Sequence, residues 1–495
     1  MENLPVRIVE KLFIIYFLSY FIIDIILFLI FVFTFKSDKK KYEVEIEMNE
    51  FYRKSSIIIP AFNEEVSIVN CIQMLEKLDY PDYEMIIVND GSTDKTVETV
   101  LTAFDLKPYN SLNDNVLNTS NVKKIYKSDD SKIFLVDKIN GGKADAVNAG
   151  INFSSGEFIC TIDADSILDE GSLKKVVMPL LMDKRVFVSG GQLVISNGAV
   201  IHDNKIISSA MPHNIWVLWQ IIEYIKSFLV SRIGLSKINS LLIMSGAFSI
   251  YRKEDLLNAG GFLTSINDHQ YIRKIFPAGK ATVCEDMEIV VRLWRYYHEN
   301  NMPGRIVYLA KPLCWTEVPD NSKNLFKQRA RWHLGLAECL FMHSKMLFDP
   351  KYFSTGLLAF PYYIFFELIS PLLKLSALAF LVYVSINGMI NFTWVMLMAL
   401  LITITTALIT SITTVIIERW SEKQALRNRE ALRYNTFGDW AKLLGASIAG
   451  DFSYSFFKIF SQFKGLIDFV REKSEWNKFE RKGIQRVVST TSKAG

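Results

Sequence analysis

Two absences bound the chemistry of this chain. Its 495 residues include only five cysteines and no Cys-x-x-Cys pair, which argues against structural zinc and favours a reducing compartment without disulfides. The net charge of +4 is small, and the chain has no basic run of the kind that binds nucleic acid. The six histidines are scattered, which favours structural roles over metal binding. A nucleic-acid-binding protein and a disulfide-rich secreted domain are both excluded.

Apolar sequence is abundant, since 50% of the residues are hydrophobic, too many for a purely soluble protein of this length. Leu12–Phe35 is long enough to cross a bilayer, which takes ~20 residues, and too long for a signal peptide. More lysine follows this span than precedes it, so the positive-inside rule predicts an N-terminus outside and Lys36 in the cytoplasm. Asp24, within the span, either marks a helix–helix contact or is a tolerated lone charge.

Apolar character returns towards the C-terminus. Leu357–Ile386 is predicted to form a short interfacial helix followed by a spanning helix, and Phe392–Ile417 a further span. The basic segment Arg419–Arg433 should then lie inside. Leu443–Phe469 is predicted to be amphipathic or re-entrant, because a single crossing would place the basic tail Arg471–Arg486 outside.

The middle of the chain alternates between strand-like and helix-like segments, which predicts a parallel sheet with helices on both faces. Strands are expected at Ser56–Pro60, Tyr83–Asn89, Ile133–Val136 and Phe158–Ile162. Asn63 is expected to cap the first helix, and Lys107–Asp130 to form an inserted surface loop. The chain then divides into an N-terminal span and linker (1–50), a cytoplasmic α/β domain (51–346), and interfacial and transmembrane helices with a basic tail (347–495).

The strand at Phe158–Ile162 ends in Asp163-Ala-Asp165. A strand period of two would put both carboxylates on one side, where each raises the proton affinity of the other. A divalent cation between them would remove that repulsion, and hard oxygen ligands favour Mg²⁺ or Mn²⁺. In open α/β sheets, ligands bind at the carboxyl ends of strands. The alternative is an ordinary surface Asp-x-Asp turn.

Polar residues also follow the other predicted strands. Phe62 is suited to stack on a base, and Asp90 to accept a hydrogen bond from a uracil N–H. The alternative in these polar stretches is an Asx turn that caps the next helix, with Asp94 as the expected cap. Asn140-Gly-Gly-Lys143 combines a loop that permits close backbone approach with a cation for phosphate. A helix start with a solvated lysine would have the same sequence.

Two later motifs are suited to acid–base and leaving-group chemistry. Glu285-Asp286 opens a predicted helix, where an Asp is usually a cap but serves as a base for a hydroxyl if it faces a cleft. In Gln328-Arg-Ala-Arg-Trp332, the two arginines, Arg329 and Arg331, are suited to neutralise a diphosphate, and Trp332 to stack on a sugar. The alternative is an amphipathic helix with an ordinary Arg-rich face.

Taken together, the motifs follow a specific order between the membrane spans: strand-end Asp90, loop Lys143, Asp-x-Asp, Ser-Gly, Glu-Asp, then Gln-x-x-Arg-Trp. This series resembles the processive, membrane-embedded family 2 glycosyltransferases, which include the cellulose, hyaluronan, chitin and poly-N-acetylglucosamine synthases. The resemblance covers Lys54–Met346 closely and the flanking spans in outline. The stretches IMSGAFSIYRK (243–253) and AGGF (259–262) look most like the bacterial poly-N-acetylglucosamine branch, as does the tail from Trp476.

The resemblance implies a GT-A-like fold, in which a doubly wound, mostly parallel α/β sheet is flanked by transmembrane and interfacial helices. It implies an inverting transferase that depends on Mg²⁺ or Mn²⁺ and uses a UDP-sugar, with UDP-N-acetylglucosamine favoured. The residues that it assigns are Phe62, Glu64 and Asp90 to uridine, Lys143 to the diphosphate, Asp163 and Asp165 to nucleotide and metal, Asp286 as catalytic base, Gln328, Arg331 and Trp332 to acceptor and diphosphate, and Gly246 and Glu285 as further substrate-binding positions.

The expectation is therefore a multi-pass enzyme of a bacterial plasma membrane, with a cytoplasmic catalytic domain, that extends a β-linked polysaccharide and helps to pass it outward. Its expected partners are the UDP-sugar, the growing polysaccharide, the lipid bilayer and accessory membrane subunits. Two alternatives stay open: a transferase that adds one sugar to a lipid phosphate, and an inactive secretion subunit, against which the intact carboxylates argue. Cys284 stands where many relatives have threonine, which leaves the local packing open.

Overall fold

The computed structural model describes residues 4–42, 51–110, 116–202, 205–209, 211–389, 393, 397, 400 and 436–472. Most of the predicted span Phe392–Ile417, the basic loop Arg419–Arg433 and the tail after residue 472 lie outside these residues. The described α-helices are α1 (Leu4–Tyr42), α2 (Ile68–Leu75), α3 (Thr96–Phe104), α4 (Lys143–Phe153), α5 (Ser172–Met182), α6 (Ile215–Glu223), α7 (Arg232–Lys237), α8 (Lys253–Asn258), α9 (Gln270–Ile275), α10 (Glu285–Glu299), α11 (Ser322–Met342), α12 (Phe360–Tyr362), α13 (Ser370–Ile386) and α14 (Phe437–Val470).

Shorter helical segments connect several of these helices. Three have π-helical hydrogen bonding, Tyr224–Ser231, Thr355–Ala359 and Tyr363–Leu368, and two are 3₁₀ turns, Ser344–Met346 and Pro350–Tyr352. The described strands are β1 (Ser55–Ala61), β2 (Tyr83–Asp90), β3 (Lys107–Pro108), β4 (Val122–Lys127), β5 (Ile133–Lys138), β6 (Phe158–Ile162), β7 (Ile167–Leu168), β8 (Val186–Ile195), β9 (Ala199–His202), β10 (Lys205–Ser209), β11 (Phe248–Arg252) and β12 (Arg305–Thr316).

The core of the protein is a ten-stranded mixed sheet in the order β3-β4-β5-β2-β1-β6-β11-β8-β12-β7. The four adjacent strands β5, β2, β1 and β6 run parallel to one another. Strand β11 is antiparallel to β6 and to β8, and β12 is parallel to β8. The parallel strands are apolar runs, and β2 and β6 are buried along their whole length, as expected for strands covered on both faces. The predicted α/β sheet is confirmed, and its parallel carboxyl ends meet at one edge.

Two local predictions were wrong. Asn63 is not a helix cap, since α2 begins at Ile68 after Ser67 and the Asn63 side chain instead accepts a hydrogen bond from Thr93 N at 2.8 Å. The predicted loop Lys107–Asp130 contributes β3 and β4, which extend the sheet antiparallel to β5. Lysines on an exposed edge strand discourage pairing with another chain. They also interrupt the run of apolar residues from which a strand is predicted in the sequence.

The N-terminal helix α1 is 39 residues long, and among the described residues Leu4–Thr34 is the one single helix long and apolar enough to cross a membrane. Asp24 Oδ2 lies 3.3 Å from Lys226 Nζ, so this charge does mark a helix–helix contact. Thr355–Leu368 and Ser370–Ile386 would add a second candidate span if they act together across their 47° bend. The predicted amphipathic or re-entrant segment Leu443–Phe469 lies within α14, a continuous helix of 34 residues that does not reverse.

Candidate active site

A cavity of about 330 Å³ opens beside the carboxyl end of β6. Nine of the residues singled out from the sequence line it: Lys143, Asp163, Gly246, Glu285, Asp286, Arg329, Gln328, Arg331 and Trp332. They come together because Asp163 follows β6, Lys143 begins α4, and Glu285 begins α10. The turn before β11 carries Gly246, and one face of α11 carries the last three residues.

Lys143 is a bridging cation in this cavity. Its Nζ lies 2.8 Å from Asp163 Oδ1 and 3.1 Å from Glu285 Oε1. Burial alone would lower the pKa of Lys143, but the neighbouring carboxylates, with Asp163 first among them, outweigh that effect and raise it. The lysine is therefore charged at neutral pH and is not the solvated lysine that a bare helix start would have.

Asp286 has the surroundings of a base. Its Oδ2 accepts a hydrogen bond from Gly246 N at 3.1 Å, and its Oδ1 one from Met287 N at 2.9 Å. Burial raises the pKa of Asp286, and the charge of Glu285 raises it further. Because Cys284 occupies the N-cap position of α10, Asp286 is not a helix cap. A carboxylate with a raised pKa in a cavity is suited to take a proton.

The Asp-x-Asp pair is arranged differently from the prediction. β6 ends at Ile162 and a turn follows, in which Ser166 N donates to Asp163 O at 2.9 Å. The strand period therefore does not extend to Asp165, which is buried, whereas the Asp163 side chain is 28% exposed at the cavity.

The chemistry of these two side chains fits a divalent cation. Both Asp163 and Asp165 offer hard carboxylate oxygens, and Asp163 already holds a cation, the ammonium of Lys143. Within the described ranges, no three or more His, Cys, Asp and Glu side chains form a cluster that could hold a metal ion. Mg²⁺ does not need such a cluster, because one or two carboxylates and the substrate phosphates usually bind it.

The three residues predicted to bind uridine lie outside the cavity lining. Asp90 is buried, and its carboxylate accepts hydrogen bonds from Lys138 Nζ at 2.7 Å and Gly141 N at 2.9 Å. Glu64 Oε2 accepts one from the Ser67 hydroxyl at 2.5 Å. Phe62 is half-buried in the turn after β1. Their contacts with a base remain predictions.

The two arginines of α11 have different surroundings. Arg329 is buried, and its Nη2 lies 2.6 Å from Glu223 Oε2. Because Glu223 already neutralises Arg329, Arg331 is the better suited of the two arginines to a diphosphate, and both roles stay predictions. Arg331 lines the cavity and shares a helix face with Gln328. The Trp332 ring also lies at the cavity, with the Arg329 guanidinium 4.1 Å from its centroid.

Matches to two protein-family models identify the family of the chain that forms this cavity. The model described as "Glycosyl transferase family 2" matches residues 56–257, and the model described as "Glycosyl transferase family group 2" matches 158–410, just over half of the chain. This chain belongs to glycosyl transferase family group 2. The matched ranges include every residue predicted for the site.

Individual relatives share about a quarter of their residues with this chain over the aligned region. A poly-beta-1,6-N-acetyl-D-glucosamine synthase of Staphylococcus epidermidis is 25% identical over 305 residues, which are 62% of this chain and 60% of that protein. The synthase of the same name from Staphylococcus aureus is 24% identical over 310 residues, with the same coverage. The chain thus spans about 60% of the length of these relatives.

One solved structure supports the fold. A mannosyltransferase from Pyrobaculum calidifontis, PcManGT, in complex with GDP-Man and Mn²⁺, matches with a TM-score of 0.52 at 15% identity, over 94% of this chain and 99% of that one. At this identity the likeness concerns the fold alone, and it agrees with the predicted GT-A-like architecture.

Two features of the site were not predicted from the sequence. Glu223 directly precedes the π-helical segment Tyr224–Ser231, and Phe228 lies within it. Both residues also line the cavity. Glu338 ties α11 to the segment before the base, because its Oε2 accepts from Thr282 Oγ1 at 2.8 Å and from Val283 N at 3.0 Å. Glu338 is two helical turns beyond Arg331, so the heptad spacing was a usable signal for it.

Two helices pack closely at the cysteine before Glu285. A Cβ added at Gly335 would overlap Cys284 Sγ, so α11 and the start of α10 approach each other without room for a methyl group. Gly335→Ala should therefore displace α11 from α10, lower sugar transfer and destabilise the protein by ~1–3 kcal/mol.

Gly445→Ala is the matched control, because a Cβ at that helical position has open space around it. The measurements are turnover and thermal unfolding of both variants. Wild-type turnover in Gly335→Ala would show that the approach of these helices does not matter for the site.

Proposed function

We propose that this chain transfers a sugar from UDP-N-acetylglucosamine to the end of a growing β-linked glycan, with inversion at the anomeric carbon. The observation that carries the proposal is one cavity lined both by Asp286, a half-buried carboxylate of raised pKa, and by the cations Lys143 and Arg331. Membership of the glycosyl transferase family and the names of the relatives support this choice. The donor and the sugar rest on those names and on the sequence motifs.

Two cations of the cavity are suited to the diphosphate of the donor. Lys143 and Arg331 place two positive charges where a diphosphate would develop charge as it leaves, and fixed cations in a pocket stabilise such charge. Asp163 and Asp165 would hold Mg²⁺ or Mn²⁺, and the bound ion would neutralise diphosphate oxygens. The role of Lys143 is then to exchange its contact with Asp163 for one with phosphate.

The acceptor side is organised around Asp286. Its carboxylate takes the proton of the acceptor hydroxyl, the oxygen forms the bond to the anomeric carbon, and the bond to the diphosphate breaks on the opposite face. Gly246 keeps this space open, because a Cβ there would lie 3.3 Å from Asp286 Oδ2 and 2.9 Å from Lys143 Nζ. Direct attack by the acceptor oxygen, in one displacement, corresponds to inversion.

The same cavity extends to residues of the membrane-proximal helices. Its lining includes Tyr362 and Glu367 before α13, and Lys458 and Gln462 on α14. We infer a path along which the glycan leaves the base and passes outward through a multi-pass enzyme with its α/β domain in the cytoplasm. Transfer of one sugar to a lipid phosphate would not need this extension, and product length separates the two functions.

The test is release of UDP by the purified full chain from UDP-N-acetylglucosamine, UDP-glucose and UDP-glucuronic acid, with the product sized in parallel. The expected result is fastest release from UDP-N-acetylglucosamine together with a product of many sugars. Faster release from either other donor would overturn the assigned sugar. Release that yields one sugar per acceptor would favour the lipid-phosphate alternative, and no release from any donor would overturn the proposal.

Trp332→Ala should impair polymer growth and leave UDP binding nearly unchanged. The indole is proposed to stack on the acceptor sugar, and an aromatic contact of ~0.5–1.5 kcal/mol corresponds to a loss of up to about tenfold in turnover. Trp332→Phe keeps a ring and should retain most of the activity. The measurements are glycan synthesis and UDP titration, and an equal loss of UDP affinity in Trp332→Ala would contradict the assignment.

A further inference from the structure

A fully buried ion cluster lies at the carboxyl ends of β2 and β5, and only one of its members, Asp90, has been assigned a role, as a predicted uridine ligand. Lys138, the last residue of β5, is 0% exposed. Its Nζ lies 2.7 Å from Asp90 Oδ1 and 2.5 Å from Asp145 Oδ2, and it donates to Ile139 O at 2.7 Å. These three acceptors use the full donor capacity of an ammonium group.

The cluster holds the turn between β5 and α4 at several points. Asp90 accepts hydrogen bonds from Gly141 N at 2.9 Å and from Gly142 N at 2.8 Å. The Asn140 side chain donates to Asp90 O at 2.7 Å. Asp145, in the first turn of α4, accepts from Ser120 N at 3.1 Å. Both carboxylates that Lys138 neutralises therefore also bind backbone N–H groups around the turn.

Steric fit fixes the same turn. A Cβ at Gly141 would overlap Asp145 Oδ2, and Gly142 has φ +90°, a conformation that other residues rarely adopt. The next residue is Lys143, whose Nζ bridges Asp163 and Glu285. The position of the Asn140–Gly142 turn therefore sets where the Lys143 ammonium lies in the cavity.

We propose that Lys138 is a positioning residue for donor binding: by neutralising Asp90 and Asp145 it fixes the Asn140–Gly142 turn and so places Lys143 at the diphosphate site. This inference rests on the proposed function, because it takes the donor to be a nucleoside diphosphate sugar. Without the ammonium, two buried carboxylates repel each other and the turn must move. A misplacement of about 1 Å at such a site lowers kcat/KM by up to ~10²-fold.

The test compares Lys138→Met and Gly141→Ala in the full chain. Gly141→Ala keeps all three charges of the cluster but puts a methyl group against Asp145 Oδ2, so the turn must move. In both variants we expect the Kd of UDP and the KM for UDP-N-acetylglucosamine to rise by about tenfold or more, with a smaller change in kcat. Lys123→Met, at an exposed position on the adjacent strand β4, is the matched control and should bind UDP like the wild type.

Each outcome has one meaning. Wild-type UDP affinity in Gly141→Ala would overturn the inference, even if Lys138→Met failed to fold. A fall in kcat at unchanged KM, in proportion to the unfolded fraction, would make Lys138 a stabilising residue only and would also overturn it. Failure of the wild type to bind UDP would instead contradict the proposed donor.

Discussion

Replacing Asp286 by asparagine should lower the rate of sugar transfer by ~10²–10⁴-fold, the usual loss on removal of a general base. Asparagine keeps the size of the side chain and an oxygen that accepts from Gly246 N, but it cannot take a proton. UDP binding should stay near the wild-type value, because the proposed role of Asp286 concerns the acceptor hydroxyl and not the nucleotide.

Turnover and calorimetric UDP binding, the latter with Mg²⁺ or Mn²⁺ present, check this prediction. Asp79→Asn makes the same chemical change at a carboxylate that is 70% exposed and should leave both quantities unchanged. Loss of UDP binding in Asp286→Asn would indicate that this carboxylate binds the donor and does not act on the acceptor hydroxyl. Turnover within a few-fold of the wild type would show that another group is the base.

Replacing Arg292 by methionine should destabilise the protein by ~3–5 kcal/mol, because it leaves a buried carboxylate without its cation. Arg292 donates to Glu288 through Nε and Nη2, both at 2.7 Å, and both side chains are 0% exposed. Burial favours the neutral acid, but Arg292 outweighs it and lowers the pKa of Glu288 to about 2. Glu288 is therefore ionised at neutral pH, one helical half-turn from Asp286.

Chemical and thermal unfolding of the purified protein measure this effect. Arg273→Met is the control, since its partner Asp268 is 53% exposed and an exposed pair contributes ~0–1 kcal/mol. The double replacement Glu288→Leu with Arg292→Met should recover much of the loss, because it removes both buried charges. Equal unfolding curves for Arg273→Met and Arg292→Met would contradict the argument.

Much of the site could be predicted because it depends on local signals and on one rule of topology. Parallel strands place their carboxyl ends at a common edge, so motifs that follow strands or begin helices are brought together even when they are distant in sequence. Asp163, Lys143 and Asp286 all meet this condition. The order of these motifs in the sequence also identified the family.

The rest depends on long-range contacts that no local pattern reveals. Arg329 and Arg331 look equivalent in the sequence, and they differ because Glu223 lies beside Arg329. Asp165 is buried because a turn begins one residue after β6 ends. The role of Asp90 in holding the Asn140–Gly142 turn depends on Lys138, its neighbour across the β2–β5 pair.

In the proposed mechanism, Asp286 drives a single displacement at the anomeric carbon of an α-linked UDP-sugar. Proton NMR of the isolated product tests this mechanism by reading the configuration of the bond formed from UDP-N-acetylglucosamine. We expect β-linked N-acetylglucosamine, with one UDP released for each bond formed. An α-linked product would contradict it, because retention requires a different mechanism from one base acting on the acceptor hydroxyl.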